Sequence, residues 1–182
     1  MTTDAVTLFF ALLAVGAEAA VALMAALALG ATISPPLAER RRWVEEVVGP
    51  NAFSLALVVA TVATTGSLYL SEVAHFDPCR LCWYQRAAMY PLVPVLALVA
   101  WRRWLAARWT VLLVAVLGGS VSAWHILVER YPTLESGACD PSNPCSLIWV
   151  RRFGYLTIPT MALSAFALIA TLMLVARPPA PD

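Results

Sequence analysis

Five apolar runs, each near or beyond the roughly 20 residues that carry a helix across a bilayer, constrain this chain more than any other feature. They cover residues 5–33 and 51–74, a third run from near Pro78 to Trp101, and two more at about 109–128 and about 156–176. Hydrocarbon offers no partner to a backbone N–H or C=O, so such runs must close their own hydrogen bonds as helix. The expected class is an all-α polytopic membrane protein. Composition agrees, with 61% of the 182 residues apolar and 13% charged, and a net charge of +1 gives no sign of nucleic-acid binding.

A cleaved signal peptide begins with a basic region, yet the first 39 residues contain no Lys or Arg, so the first run is expected to stay as a helix with Glu18 its single charge. Arginines set the orientation. Arg40, Arg41 and Arg42 follow the first run, Arg102, Arg103 and Arg108 the third, and Arg177 the fifth, so one side collects seven and is expected to be cytoplasmic. The N-terminus, the 75–78 turn and the 129–155 loop then face outward. Arg80, Arg86, Arg130, Arg151 and Arg152 remain on that outer side as candidates for specific tasks. The stretch "LIWVRRFGY", residues 147–155, mixes aromatics with arginine and is expected to form a short helix at headgroup level. Residues 177–182, "RPPAPD", read as a cytoplasmic tail.

All four cysteines fall on the outer side, where disulfides form and persist, as two close pairs. In "DPCRLCWYQR", Asp77 suits a helix N-cap and Pro78 the first helical position, which puts Cys79 and Cys82 in a first turn. Backbone N–H groups and the helix dipole there favour a thiolate, the attacking and leaving species of disulfide exchange. A staple across two residues closes too small a loop to remove much entropy from the unfolded chain. Arg86, four residues after Cys82, shares its helical face and could hold a carbonyl or quinone oxygen. The alternatives are a structural disulfide, or half of a zinc site combining CxxC with Cx5C, with Arg86 snorkelling to the interface. Pro91 and Pro94 lie farther along the same run and could kink the helix to open room for a ring or be ordinary packing features, the second being the preferred reading. The second pair, Cys139 and Cys145 in "CDPSNPC", reads by itself as a loop-stapling disulfide and, beside the first pair, as the shuttle half of a relay.

The segments "PCRLCWYQR", "WHILVERYPTL", "CDPSNPCS" followed by Trp149, and "FGYLTIPTMALSAF" occur in that order. Together they resemble the DsbB family of membrane thiol oxidases, in particular its BdbC-like branch, over about residues 51–176. The resemblance implies a four-helix transmembrane bundle over 51–176. Residues 1–50 would add one N-terminal transmembrane helix and a cytoplasmic loop without a family counterpart. It also implies a protein-dithiol:quinone oxidoreductase in the plasma membrane. That enzyme would reoxidise a DsbA-like thioredoxin-fold partner and pass electrons to a membrane quinone, ubiquinone or menaquinone. Cys79 and Cys82 would then be the pair beside the quinone, with Arg86 at the quinone-binding position and Cys82 passing the electrons on. Cys139 and Cys145 would exchange with the partner, Cys139 forming the mixed disulfide, and His125 would lie near the quinone. No metal is expected.

Energetics sharpen that expectation. Structural disulfides lie below about −300 mV and a DsbA-like partner near about −120 mV, a gap of roughly 8 kcal/mol for two electrons. Ordinary staples could not oxidise such a partner. The rival classes are a non-catalytic membrane scaffold with two structural disulfides, an oxidoreductase like vitamin K epoxide reductase, and a transporter of reducing equivalents. The order of motifs speaks against the second, and the absence of mid-membrane cysteines in both leaflets against the third.

Overall fold

A computed structural model describes residues 2–135 and 139–178. Six α-helices occur among them: α1 (Thr3–Gly30), α2 (Pro35–Val48), α3 (Ala52–Leu68), α4 (Arg80–Arg102), α5 (Arg108–Arg130) and α6 (Ile158–Val175). Helices α3, α4, α5 and α6 form a ring in chain order, α6 closing back on α3, while α1 lies outside the ring along α6. The chain is thus an all-α polytopic membrane protein, a four-helix bundle with one further N-terminal helix. Among the described residues four helical stretches are long and apolar enough to cross a bilayer: α1, the continuous run Pro35–Val73, Leu105–Arg130 and α6. Helix α4 is long enough at 23 residues, but it carries Arg80, Arg86 and Arg102 and is the polar member of the ring.

Lipid gives apolar helices little reason to associate, so close packing of small residues must do it. Ala52, Ala56 and Ala60 are fully buried along one face of α3. On α5, Gly118 receives the ring of Phe166 from α6 so closely that a Cβ there would stand 2.4 Å from Phe166 Cζ.

Two local expectations are corrected. Residues 35–48, expected as a loop, form α2, which passes through a single 3-10 turn at Gly49–Asn51 into α3. Prolines 35 and 36 suit a first helical turn, where a missing N–H costs nothing. Buried Glu45 on α2 accepts from Arg41 (2.7 Å) and from Arg177, fastening the far end of α6 to α2. The 147–155 segment, expected as an interfacial helix, instead ends in a tight turn. Phe153 (φ 50°) and Gly154 (φ 80°) are both left-handed, which no α-helix accommodates, and Arg152 and Leu156 exchange backbone hydrogen bonds of 2.8 and 2.9 Å across them.

The direction of each helix puts the N-terminus, the α3–α4 turn and the α5–α6 loop at one end of the bundle. The cysteines lie at that end, and the seven arginines counted above lie at the other.

Candidate functional site

Helix α3 ends in one π-turn, Tyr69–Val73, and residues 75–79 then run outside any helix or strand, with Cys79 extended. Helix α4 begins at Arg80, two residues later than expected, so its N-cap is Cys79 rather than Asp77. The Cys79 sulfur accepts the Cys82 N–H at 3.4 Å, taking the place an Asp or Ser oxygen usually fills. That position holds the sulfur against the positive end of the helix.

Cys79 and Cys82 are free thiols with their sulfurs 3.3 Å apart, whereas Cys139 and Cys145 form a disulfide. Behind Cys79 stands His125 of α5. Its Nε2 lies 3.7 Å from Cys79 Sγ and 3.0 Å from the Cys145 carbonyl oxygen, and the Gln85 amide nitrogen lies 3.0 Å from its Nδ1. Gln85 donating to Nδ1 leaves the ring proton on Nε2, aimed at the Cys145 carbonyl and the Cys79 sulfur. Cys79 is thereby held well below the ordinary thiol range, first by the hydrogen bond from Cys82, against the opposing effect of burial, and then by His125.

The loop disulfide packs onto this pair. Cys145 is fully buried in one apolar cluster with Cys79, Leu81 and Val128, and Cys139, at its edge, is only partly buried. Glu135 accepts the Cys145 N–H at 2.5 Å and the Ser146 hydroxyl at 2.8 Å, and Asp140 accepts the Ser142 N–H and hydroxyl, which keeps its carboxyl below the usual range. These bonds shape "CDPSNPC" into an ordered turn. Among the described residues the potential metal donors fall into two separate groups, Cys79 with Cys82 and His125, and Glu135 with Cys139 and Cys145. With the second pair disulfide-bonded, the thiols do not assemble a four-thiolate zinc site.

On its other side Cys82 borders a cavity of about 300 Å³, within the range of small-molecule sites. Helices α1, α3, α4 and α6 wall it, and Phe76 and Trp149, stacked at 5.1 Å, lie over its cysteine end. The lining is mostly apolar, and its polar side chains are Ser67, Asp77, Cys82, Gln85, Arg86 and Tyr90. Arg86 gives its Nε to Ser67 Oγ (2.9 Å) and its Nη2 to the Ser67 carbonyl (2.8 Å), and it lies over Trp83 and Tyr90 at 5.2 and 5.9 Å. Among the described residues its Nη1 has no hydrogen-bond partner. Such a space could hold an apolar ring with carbonyl oxygens, with the Arg86 guanidinium as a cationic donor and the Cys82 sulfur among its lining groups.

Sequence reasoning singled out Cys79, Cys82 and Arg86, and the structure brings them together. His125, expected beside the quinone, does not line this cavity; it stands on α5, which contributes nothing to the cavity wall, and its ring meets the Cys79 sulfur and the Cys145 carbonyl. Gln85, Ser67 and Glu135 were missed. Gln85 was visible as a polar residue in an apolar run, whereas nothing in the spacing marks Ser67 or Glu135.

The family model described as disulfide bond formation protein DsbB matches residues 49–176. Disulfide bond formation protein C of Bacillus subtilis is 42% identical over 117 residues, 64% of this chain and 85% of that protein. A probable disulfide formation protein of Oceanobacillus iheyensis is 40% identical over 126 residues, 68% of this chain and 87% of that one. No solved structure matches the chain.

Proposed function

The chain belongs to the DsbB family of disulfide bond formation proteins, and from that premise we propose that it oxidises a DsbA-like thioredoxin-fold partner and delivers the electrons to a membrane quinone. The cysteine end of the bundle faces the extracytoplasmic side of the plasma membrane, and the C-terminus the cytoplasm. One observation carries the reading: Cys82 borders an apolar cavity beside Arg86, while Cys79, 3.3 Å away, faces the loop disulfide.

A partner thiolate attacks Cys139, the more accessible loop sulfur, and Cys145 leaves as thiolate. The partner's second thiol displaces Cys139, so the partner departs oxidised and the loop pair holds two electrons and two protons. Cys145 attacks Cys79 of a Cys79–Cys82 disulfide, and Cys82 leaves as a thiolate on the cavity side, next to the Arg86 charge. Cys139 then attacks Cys145, re-forming the loop disulfide and freeing Cys79. The resulting arrangement is the one in the structure, a loop disulfide over a Cys79/Cys82 dithiol. Bound quinone supplies the two-electron oxidising capacity that returns the dithiol to a disulfide. Arg86, whose Nη1 has no partner among the described residues, orients a carbonyl oxygen at the cysteine end, and the apolar walls keep water from the exchange.

Mixing the purified protein with a reduced thioredoxin-fold partner and a short-chain benzoquinone tests this directly. Quinone absorbance is expected to fall with turnover, and Cys79→Ala or Cys82→Ala to abolish the fall. A scaffold with two structural disulfides predicts no quinone reduction at all.

A further inference from the structure

Helix α1 lies outside the region matched by the family model, which starts at residue 49. Yet Phe10, Leu13, Ala14 and Ala17, one face of α1, line the cavity next to Cys82 and Arg86. Without them the space between α3 and α6 would stand open on that side. We propose that α1 completes the quinone site of this protein, and that Phe10 is a determinant of its affinity for the ring.

Three features support this. First, α1 packs along α6 and meets α3 only locally, where the Phe10 ring reaches Gly66; a Cβ on Gly66 would stand 2.7 Å from Phe10 Cζ. Glycine is the residue that lets the aromatic ring come so close to the α3 backbone. Second, Leu13 and Val58 line the cavity and are still 44% and 60% exposed, so the space reaches the lipid-facing surface between α1 and α3. An isoprenoid tail needs such an exit, because a cavity of about 300 Å³ holds a ring head and little more. Third, α1 is fastened rather than merely adjacent. Arg152 donates to Asp4 Oδ1 (2.5 Å) and Thr7 Oγ1 (2.7 Å), and Glu18 accepts from Tyr155 Oη (2.7 Å) and Ser164 Oγ (2.9 Å). A polar pair of bonds to a mid-helix glutamate fixes both the rotation and the height of α1 against α6, which keeps Phe10 over Gly66. Glu18, the lone charge of the first apolar run, thus has a role in holding the wall.

The inference rests on the quinone reading above, and the test separates the two. The fully oxidised protein has no electrons to give, so binding of a short-chain benzoquinone can be followed at equilibrium by quenching of tryptophan fluorescence, Trp149 being on the cavity wall. Phe10→Ala is expected to weaken binding about tenfold, the scale of lost apolar contact in a pocket, while exchange between the loop disulfide and a reduced partner keeps its rate. Leu23→Ala, on the lipid-exposed part of α1, should bind as wild type. Wild-type affinity in Phe10→Ala, or an equal loss in Leu23→Ala, overturns the role of Phe10 while leaving the functional reading standing. Failure of the wild type itself to bind the quinone overturns both. Should Phe10→Ala lose loop exchange through misfolding, Phe10→Leu is read by the same criteria.

Discussion

The sulfurs of Cys79 and Cys82 stand 3.3 Å apart and both border the small space at His125 beside the Cys145 cluster, yet Cys82 alone of the two also borders the large apolar cavity. A pair of thiols at a helix start can thus serve two clients at once, a protein disulfide on one side and a lipid-soluble ring on the other. The N-cap position of Cys79 produces this split, because the cap residue lies outside the helix while Cys82 already points from its first turn.

From that split follows a trapping result. With Cys82 and Cys139 both replaced by alanine, Cys79 and Cys145 are expected to join in a disulfide when a mild chemical oxidant takes up the two electrons, since both are buried in one apolar cluster. Peptide mass spectrometry under non-reducing conditions reads it. The complementary variant, keeping Cys82 and Cys145, should give little of the corresponding bond; equal yields would contradict the assignment of Cys79 to the loop.

Arg86→Met should raise the quinone concentration needed for half-maximal rate by at least about tenfold, the value of a charge-assisted hydrogen bond in a dry site, without slowing exchange between the loop pair and its partner. Steady-state kinetics varying each substrate in turn separates the two effects. Unchanged quinone dependence would mean that Arg86 serves only to hold Ser67.

The thiolate of Cys79 gives a pH signature. Its titration is depressed, so the ionised form is present above the lowered pKa and is lost only as pH falls through it, whereas an ordinary thiol near about 8.5 is almost wholly protonated at pH 6. Thiolate absorbance near 240 nm, taken as the difference between reduced protein and its Cys79→Ser variant, should therefore persist at pH 6. Cys82→Ala should move the titration up, and His125→Ala also, because these groups supply the stabilising bonds. A Cys79 titration in the ordinary range would contradict the hydrogen-bonding scheme.

Gly118→Leu probes the bundle rather than the chemistry. The side chain would enter the space of the Phe166 ring, and overpacking of this kind costs about 1–3 kcal/mol. A lowered unfolding midpoint in detergent is expected, and an unchanged one would show that α5 and α6 can part without loss.

Much of this arrangement could be read from the chain itself. The apolar runs gave the spanning helices because a bilayer leaves few other structures open to them, and the grouping of arginines placed the cysteines at one end. The CxxC and Arg86 were found because charge and thiols are rare in such runs. Contacts that depend on tertiary packing were not legible. His125 stays out of the cavity because its helix, α5, is not part of the cavity wall, and the Glu135 bonds to Cys145 and Ser146 arise from a loop closure with no periodic trace. The turn at Phe153 and Gly154 was missed although its glycine was in view, since the aromatic and arginine content suggested an interfacial helix.

The central claim is that the Cys79/Cys82 dithiol hands its electrons to a ring in the neighbouring cavity. A single-turnover measurement tests it without any partner: protein carrying the loop disulfide and the reduced CxxC is mixed with a short-chain benzoquinone, and quinone absorbance and free thiols are followed together. The account predicts loss of one quinone and two thiols per chain. Persistence of both thiols while quinone remains unreduced would contradict it.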